Sequence, residues 1–468
     1  MYYIYAGTQK SQPASLPELD IVVVGNLEHQ DWFSVYWRGE KVGYTSQAFQ
    51  RLGNKLILND VSYLRLPVGG IVQEIYAHGI TTYDSSFAIR SFSYEIQGGE
   101  YNTTAEGIIS HSQLTVIVGS AESKDTMVFP LAGDIYSPSL LPEMFVSAKK
   151  TGKELSKIPT FDPFTLSEGQ YEIVSHRKAR RKVMSKEREV WILTVTAFGM
   201  LTEMWVSDDG ILLYESGPGG FTQFKEEQSS ALAFDLSRSG NLDILTGFAI
   251  PAEWNKNLSP RETKYAVYLL KDFPKEILEI EDYNQQTRGD TLIVCSDGFS
   301  TENSPLPSDT AEEPFIQCHD KRIHDAANKI VKDEKDSLKM LEKLNKYLFV
   351  RIEKDYQTSI PSALDVLDKM RGDCNEHSTL FVALARALSI PSRINVGVVY
   401  REDGMFFYHA WVQCYAKGEW HTFDPTFGQA PVDATHIKFL SGNLDKQVQL
   451  LRIGKVGIGI LEVNKNCK

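Results

Sequence analysis

Hydrophobic and polar positions alternate with period two from about residue 20 to 225, and beyond about 320 the period lengthens to that of a helix. The first pattern predicts strands over residues 21–24, 32–37, 42–45, 87–96, 114–118, 191–195 and 203–206. Arg38-Gly39-Glu40-Lys41 and Asp208-Asp209-Gly210 supply turns between them. Such alternation implies antiparallel sheets with one wet face. Residues 140–148 and 224–236 read as helical interruptions. A shorter β-leaning stretch occupies about 245–300, with strands at 265–270 and 291–294, and the Ser/Pro/acidic run 300–313 reads as a linker.

After about 320, Ile323, Ala326, Ala327, Ile330 and Val331 recur at helical spacing, followed by Leu338, Leu341, Leu344 and Leu348. This is one long amphipathic helix or two, with a single buried stripe. Ser362 can cap a helix over 363–370, with Asp365 in its first turn. Gly372-Asp373 ends it, and the next helix carries Leu380, Phe381, Leu384 and Leu388 before stopping at Ile390-Pro391. The expected fold class is α+β: a leader or linker over 1–19, an antiparallel β-rich domain over 20–240, and a small β-leaning segment with linker over 241–318. An α+β domain over 319–468 with a C-terminal strand completes it. A length of 468 residues agrees with about three domains.

Composition changes this picture little. Hydrophobic content of 42% with 24% charged residues is that of a soluble globular protein. A net charge of -12 argues against a general nucleic-acid binder. The basic run Arg177-Lys178-Ala179-Arg180-Arg181-Lys182 reads as a solvated hairpin tip rather than an anionic-partner site. The five cysteines form no CxxC pair and no disulfide framework; Cys295 and Cys318 flank a polar loop and are read either as a pair or as free thiols. Cys414 reads as strand packing, and Cys467 lies next to the terminus. No run of 18 apolar residues occurs. The aromatic start Met1-Tyr2-Tyr3-Ile4-Tyr5 is read as the outer end of a membrane anchor whose apolar part is missing, without the regions of a complete signal peptide.

The chemistry concentrates on Cys374, in Gly372-Asp373-Cys374-Asn375-Glu376-His377. A thiol at a helix N-terminus meets unpaired backbone N–H groups and the positive end of the dipole, which favour a thiolate and can hold an oxyanion. His409 and Asp424 lie on two strands joined by Ala416-Lys417-Gly418-Glu419. A two-residue turn at Lys417-Gly418 pairs Ala416 with Glu419 and Tyr415 with Trp420, and continuing that register sets Asp424 opposite Trp411 and His409 opposite Thr426. His409, Trp411 and Asp424 then share one face, with His409 and Asp424 as diagonal neighbours about 7–8 Å apart at the backbone. Asp424 can orient the His409 imidazole, leaving its other nitrogen for the thiol. Trp411 is the candidate substrate contact. Backbone N–H groups near Cys374 are the oxyanion donors, with Tyr356 and Gln357 as guesses for a side-chain donor. His377 and His421 receive no role, and His436 has no assignable partner. Cys374, His377, His409 and Asp424 have a spacing that also permits zinc, but the ordered motifs explain them without a metal or cofactor.

These same residues carry a family resemblance. Gly372-Asp373-Cys374-Asn375-Glu376-His377-Ser378 with the helix after it, His409-Ala410-Trp411-Val412, Trp420, Phe423-Asp424-Pro425-Thr426 and Thr435-His436-Ile437 closely resemble the transglutaminase-like core over roughly 320–442. The resemblance implies a papain-like cysteine-protease fold and a Cys–His–Asp triad carried onto Cys374, His409 and Asp424. That family includes cross-linking transglutaminases, peptidases and amidases; the calcium-site motifs of the animal cross-linking enzymes are not evident.

Trp37-Arg38-Gly39-Glu40-Lys41-Val42-Gly43-Tyr44, Arg90-Ser91-Phe92, Phe161-Asp162-Pro163-Phe164-Thr165-Leu166-Ser167 and Asp208-Asp209-Gly210 look like the β-rich domain ahead of such cores in bacterial envelope proteins. That similarity implies a periplasmic or otherwise extracytoplasmic location. Phe161-Asp162-Pro163, which echoes Phe423-Asp424-Pro425 without a Cys or His nearby, reads as a turn. The expected activity is thiol-dependent acyl transfer on a peptide, protein or other amide-containing substrate, with water as the default acceptor. The alternatives are cross-linking to an amine and a non-catalytic binding or assembly module built on the β-rich region.

Overall fold

The computed structural model describes residues 28–69, 71–99, 101–120, 123–198, 200–233, 243–254, 258–273, 279–299, 304–356, 362–442 and 456–467. The leader, the strand expected at 21–24, Gln357 and parts of the 224–236 and 300–313 expectations lie outside the described residues. The chain divides into two compact units, Met1–Pro67 with Val72–Asn241 and Val68–Ile71 with Leu242–Lys468.

The first unit is antiparallel β. Two strand meanders, one from His29 to Pro130 and one from Lys157 to Glu226, join into a fourteen-stranded sheet. The junction is made by the first and last strands, His29–Trp37 against Phe221–Glu226, with Phe33 opposite Lys225 and Trp37 opposite Phe221. Alternation works as expected along the first strand: Phe33, Val35 and Trp37 are buried while Trp32 and Tyr36 keep some exposure. A helix, Leu141–Lys150, falls where one was expected. The helix expected from 224 is instead the end of strand Phe221–Glu226 and a five-residue helix, Gln228–Leu232. Phe224 is held in the sheet by ring contacts with Tyr214 and Tyr36 on neighbouring strands. The basic run lies on an exposed hairpin, where Arg180 faces Glu189 and Lys182 faces Glu187.

The second unit wraps helices on a nine-stranded sheet. Its strands run in the order Gln285–Arg288, Thr291–Cys295, Tyr265–Lys271, Gly457–Asn464, Ile250–Glu253, Met405–Ala416, Ser392–Arg401 and His436–Ser441, with Glu419–Phe423 also paired to Met405–Ala416. The strands of 250–295 thus share one sheet with those that carry His409 and the residues around Asp424. Along one edge of Met405–Ala416, Ile250 and Pro251 pair with Phe406 and Met405, and Phe423 back to Glu419 pair with Val412 to Ala416. Among the described residues, no strand pairs with 407–411 on that edge.

The helical pattern beyond 320 resolves into two helices, Lys321–Val331 and Ser337–Arg351, capped by Asp320 and Asp336. Helix Cys374–Ala387 is buried on every side along most of its length, as befits the central element of a core. A disulfide joins Cys295 to Cys467, while Cys318 is a free buried thiol. Cys295 and Cys318 are therefore not a pair; Cys295 belongs to a strand, Thr291–Cys295, that the C-terminal segment reaches.

Candidate active site

Three local devices place Cys374. Ser362 caps helix Ala363–Lys369 through the Asp365 amide, and Met370 ends it in the left-handed conformation with φ 48°. Gly372 follows with φ 151°, and a Cβ there would lie 2.3 Å from Glu376 Cγ, so only glycine fits. Asp373 then caps the next helix: its carboxylate accepts from the Asn375 and Glu376 amides, and Glu376 Oε2 accepts from the Asp373 amide at 2.7 Å. The capping box uses up the neighbouring N–H groups. The amide of Cys374 itself donates to none of the described residues. It is the first residue of the helix.

The sulfur does not find a thiolate-favouring environment. Burial pushes the Cys374 thiol well above the ordinary value and the Asp373 carboxylate adds to the rise, while the Ala410 backbone N–H works the other way. Burial and Asp373 also raise Glu376 well above its usual range. Desolvation and the capping carboxylate thus act against the thiolate that the helix terminus favours.

His409 and Asp424 come together. His409 Nε2 lies 2.8 Å from Asp424 Oδ2, and both side chains are buried. The hairpin has the register read from its turn: Lys417 and Gly418 take φ 54° and 89°, and Tyr415 pairs with Trp420. The ladder stops at Val412 and Phe423, however, so Asp424 is not paired with Trp411, nor Thr426 with His409. Pro425 has no N–H to extend the strand, and Asp424 Oδ1 instead accepts from the Thr426 and Phe427 amides at 2.8 and 3.0 Å. Asp162 makes the same turn with Phe164 and Thr165, which explains the sequence echo without any chemistry.

Around this pair, Phe427 stacks on the His409 ring at 4.7 Å and 11°, and Trp411 lies on it at 6.2 Å and 19°. Trp411 is only 1% exposed. Expected from the sequence as a substrate contact, its ring packs against His409 and, edge-on, His436. His377 is buried and turns Nδ1 to the Asp373 carbonyl at 2.6 Å, and burial lowers its pKa to about 4. It does not join Cys374, His409 and Asp424 in a ligand cluster. Among the described residues, the groups of three ligand-type side chains within 4.8 Å are His409, Asp424 and His436, and separately Glu312, Cys318 and His319. His421 is on the other side of its strand and reaches the Ala416 carbonyl. Tyr356 is near enough to Cys374 and Asp373 for their charges to act on its phenol, whose pKa burial raises.

His436 is the residue the sequence left without a partner. Its Nε2 lies 3.2 Å from Asp424 Oδ2, and its Nδ1 lies 3.2 Å from Asp433 Oδ1. Burial opposes its charge, but the Asp433 and Asp424 carboxylates prevail and raise its pKa to about 9. Burial likewise works to raise Asp424, yet the His409 and His436 contacts hold it well below the usual carboxylate range. The Asp433-x-x-His436 spacing was the available signal, but the spacing does not reveal that the ring also reaches Asp424.

A half-buried thiol at a helix start and a buried His–Asp pair at the adjoining hairpin define a domain of the thiol-enzyme class. Residues 324–425 match the family described as the transglutaminase-like superfamily, and this segment is a transglutaminase-like domain. No curated protein matches the chain. A structure described as a "putative cysteine protease" from Cytophaga hutchinsonii is 17% identical, covering 44% of this chain and 81% of its own, with a TM-score of 0.28. A β-barrel-like protein of a domain of unknown function from Brucella abortus is 11% identical, covering 43% and 96%, with a TM-score of 0.33. A "putative protease" from Parabacteroides distasonis is 11% identical, covering 74% and 69%, with a TM-score of 0.20.

Proposed function

We propose that the second unit is a thiol-dependent acyl-transfer enzyme that hydrolyses a peptide or other amide bond, with Cys374 as nucleophile, His409 as base and acid, and Asp424 orienting His409. The observation that carries this reading is the buried 2.8 Å contact between His409 Nε2 and Asp424 Oδ2. It fixes the proton on Nε2 and leaves the Nδ1 lone pair as the acceptor for the thiol proton. Because desolvation and the capping carboxylate act against the thiolate, His409 removes the Sγ proton as sulfur attacks the carbonyl carbon. The amide of Cys374, unclaimed by the capping box, is the backbone donor for the oxyanion. His409 returns the proton to the departing amine, leaving a thioester; water, deprotonated by His409, then attacks it and releases the acid and the free thiol.

An extracytoplasmic location is part of the proposal, and the Cys295–Cys467 disulfide supports it, since such bonds persist in oxidising compartments. The test is labelling with a thiol-directed acylating probe drawn from a peptide and amide library. Wild type should be labelled at Cys374 and Cys374→Ala should not, with unchanged circular dichroism. Equal labelling of the two proteins would sink the assignment.

A further inference from the structure

The set of polar side chains at this site does not end with three residues. Asp424 is fully buried and accepts four N–H contacts, two backbone amides on Oδ1 and two imidazole Nε2 atoms on Oδ2. The second imidazole, His436, is 1% exposed. Its other nitrogen, Nδ1, faces only acceptors: Asp433 Oδ1 and the Asp433 carbonyl, each at 3.2 Å. Neither a carboxylate nor a carbonyl can donate, so both ring nitrogens satisfy their neighbours only if both carry hydrogen. Asp433 is itself pinned as an acceptor by Gln429 Nε2 at 2.7 Å and by the Thr435 amide and hydroxyl at 3.0 and 2.5 Å.

We propose that His436 is a positioning residue for the acyl-transfer site: an imidazolium at neutral pH, held between Asp433 and Asp424, that keeps Asp424 ionised and aimed at His409. The proposal rests on the reading of Cys374, His409 and Asp424 given above. Without His436, Asp424 and Asp433 would be two buried carboxylates with no cation between them, and burial would drive one of them to take up a proton. With His436 charged, Asp424, Asp433 and His436 together carry a single negative charge. That charge is balanced at the moment His409 accepts the proton of Cys374.

Asp373 and His377 are near enough to His409 for its charge to act on them, while Trp411 and Phe427 pack their rings against His436. The elevation of the His436 pKa to about 9 agrees with the geometry, although burial on its own would lower it.

The experiment is histidine-selective 15N NMR of the full chain, titrated across the range in which ordinary imidazoles change charge, from about pH 5 to about pH 8. In wild type both His436 nitrogens should remain protonated across this range. A neutral His436 at neutral pH would overturn the proposal, and this measurement needs no variant to fold. In His436→Gln, which keeps a hydrogen-bond donor and loses the charge, the pH profile for alkylation of Cys374 by iodoacetamide should move away from that of wild type. An unmoved alkylation profile in a folded variant would also overturn the proposal. Asp433→Asn is the second variant, and there the His436 titration should fall into the observed range. Should Cys374 prove unreactive to every acylating probe, the acyl-transfer reading fails while the charge state of His436 remains measurable, so the two failures are distinguishable.

Discussion

Asp424→Asn is the sharpest perturbation of this site, because it changes two atoms' hydrogen-bonding sense and almost no volume. The asparagine oxygen can still accept from the Thr426 and Phe427 amides at 2.8 and 3.0 Å, so the turn survives. Its NH2 then meets the N–H groups of both His409 and His436, formerly 2.8 and 3.2 Å from Oδ2. His409 relieves the conflict by moving its proton to Nδ1, the atom proposed to receive the thiol proton. A wrong tautomer of this kind costs on the order of 10⁴ in rate for a hydroxyl nucleophile. A thiol is easier to ionise, so a loss of about 10²–10³ is expected here. Breaking one partner out of a buried charged set also costs about 3–5 kcal/mol of stability. The assay is the burst of p-nitrophenolate on mixing with p-nitrophenyl acetate, corrected with Cys374→Ala, alongside thermal unfolding. A burst rate and melting midpoint equal to wild type would refute the reasoning for both the tautomer and the charge set.

Three further outcomes follow from the same geometry. Gly372→Ala should lower stability by about 1–3 kcal/mol in chemical denaturation and slow Cys374 alkylation, since the new Cβ meets Glu376 and the backbone is strained. The His436 contribution to stability is fully present below the unfolded histidine value of 6.5 and is lost as pH rises through about 9, so the melting midpoint should fall across that window in wild type and not in His436→Gln. Asp424 and Asp433 act in the opposite sense: their contribution is present above the ordinary carboxylate range and is lost in strong acid. Cys467→Ser should cost about 2–5 kcal/mol by freeing the C-terminal segment from Cys295, and a reductant should reproduce the loss in wild type only.

What the sequence made legible was local. The Lys417-Gly418 turn set the register of the His409 hairpin, and Ser362 and Gly372-Asp373 marked the helix ends around Cys374, because turns and caps are encoded within a few residues. Pairings between distant segments were not legible. The closing of His29–Trp37 onto Phe221–Glu226, the insertion of Gly457–Asn464 beside Tyr265–Lys271, and the joining of Cys295 to Cys467 all depend on which surfaces meet, and no periodicity carries that. The same holds for charge. A helix start predicts a reactive thiol, but the ionisation of Cys374 depends on how deeply it is enclosed and on the Asp373 carboxylate beside it. His436 was invisible as a partner because its two carboxylates approach it from separate turns.

The gap along one edge of strand Met405–Ala416 bears on how such a site is kept open. Sheets tend to complete themselves, and an unclaimed backbone amide in the middle of a strand invites the next strand to zip over it. Here the two strands that share that edge stop short from opposite ends, at Ile250 and at Phe423, and the Ala410 N–H between them faces sulfur instead of a carbonyl. Pro425, two residues past the last pair, has no N–H to give to a carbonyl of the facing strand, so the ladder cannot continue unbroken through it beside the place where the thiol meets the sheet.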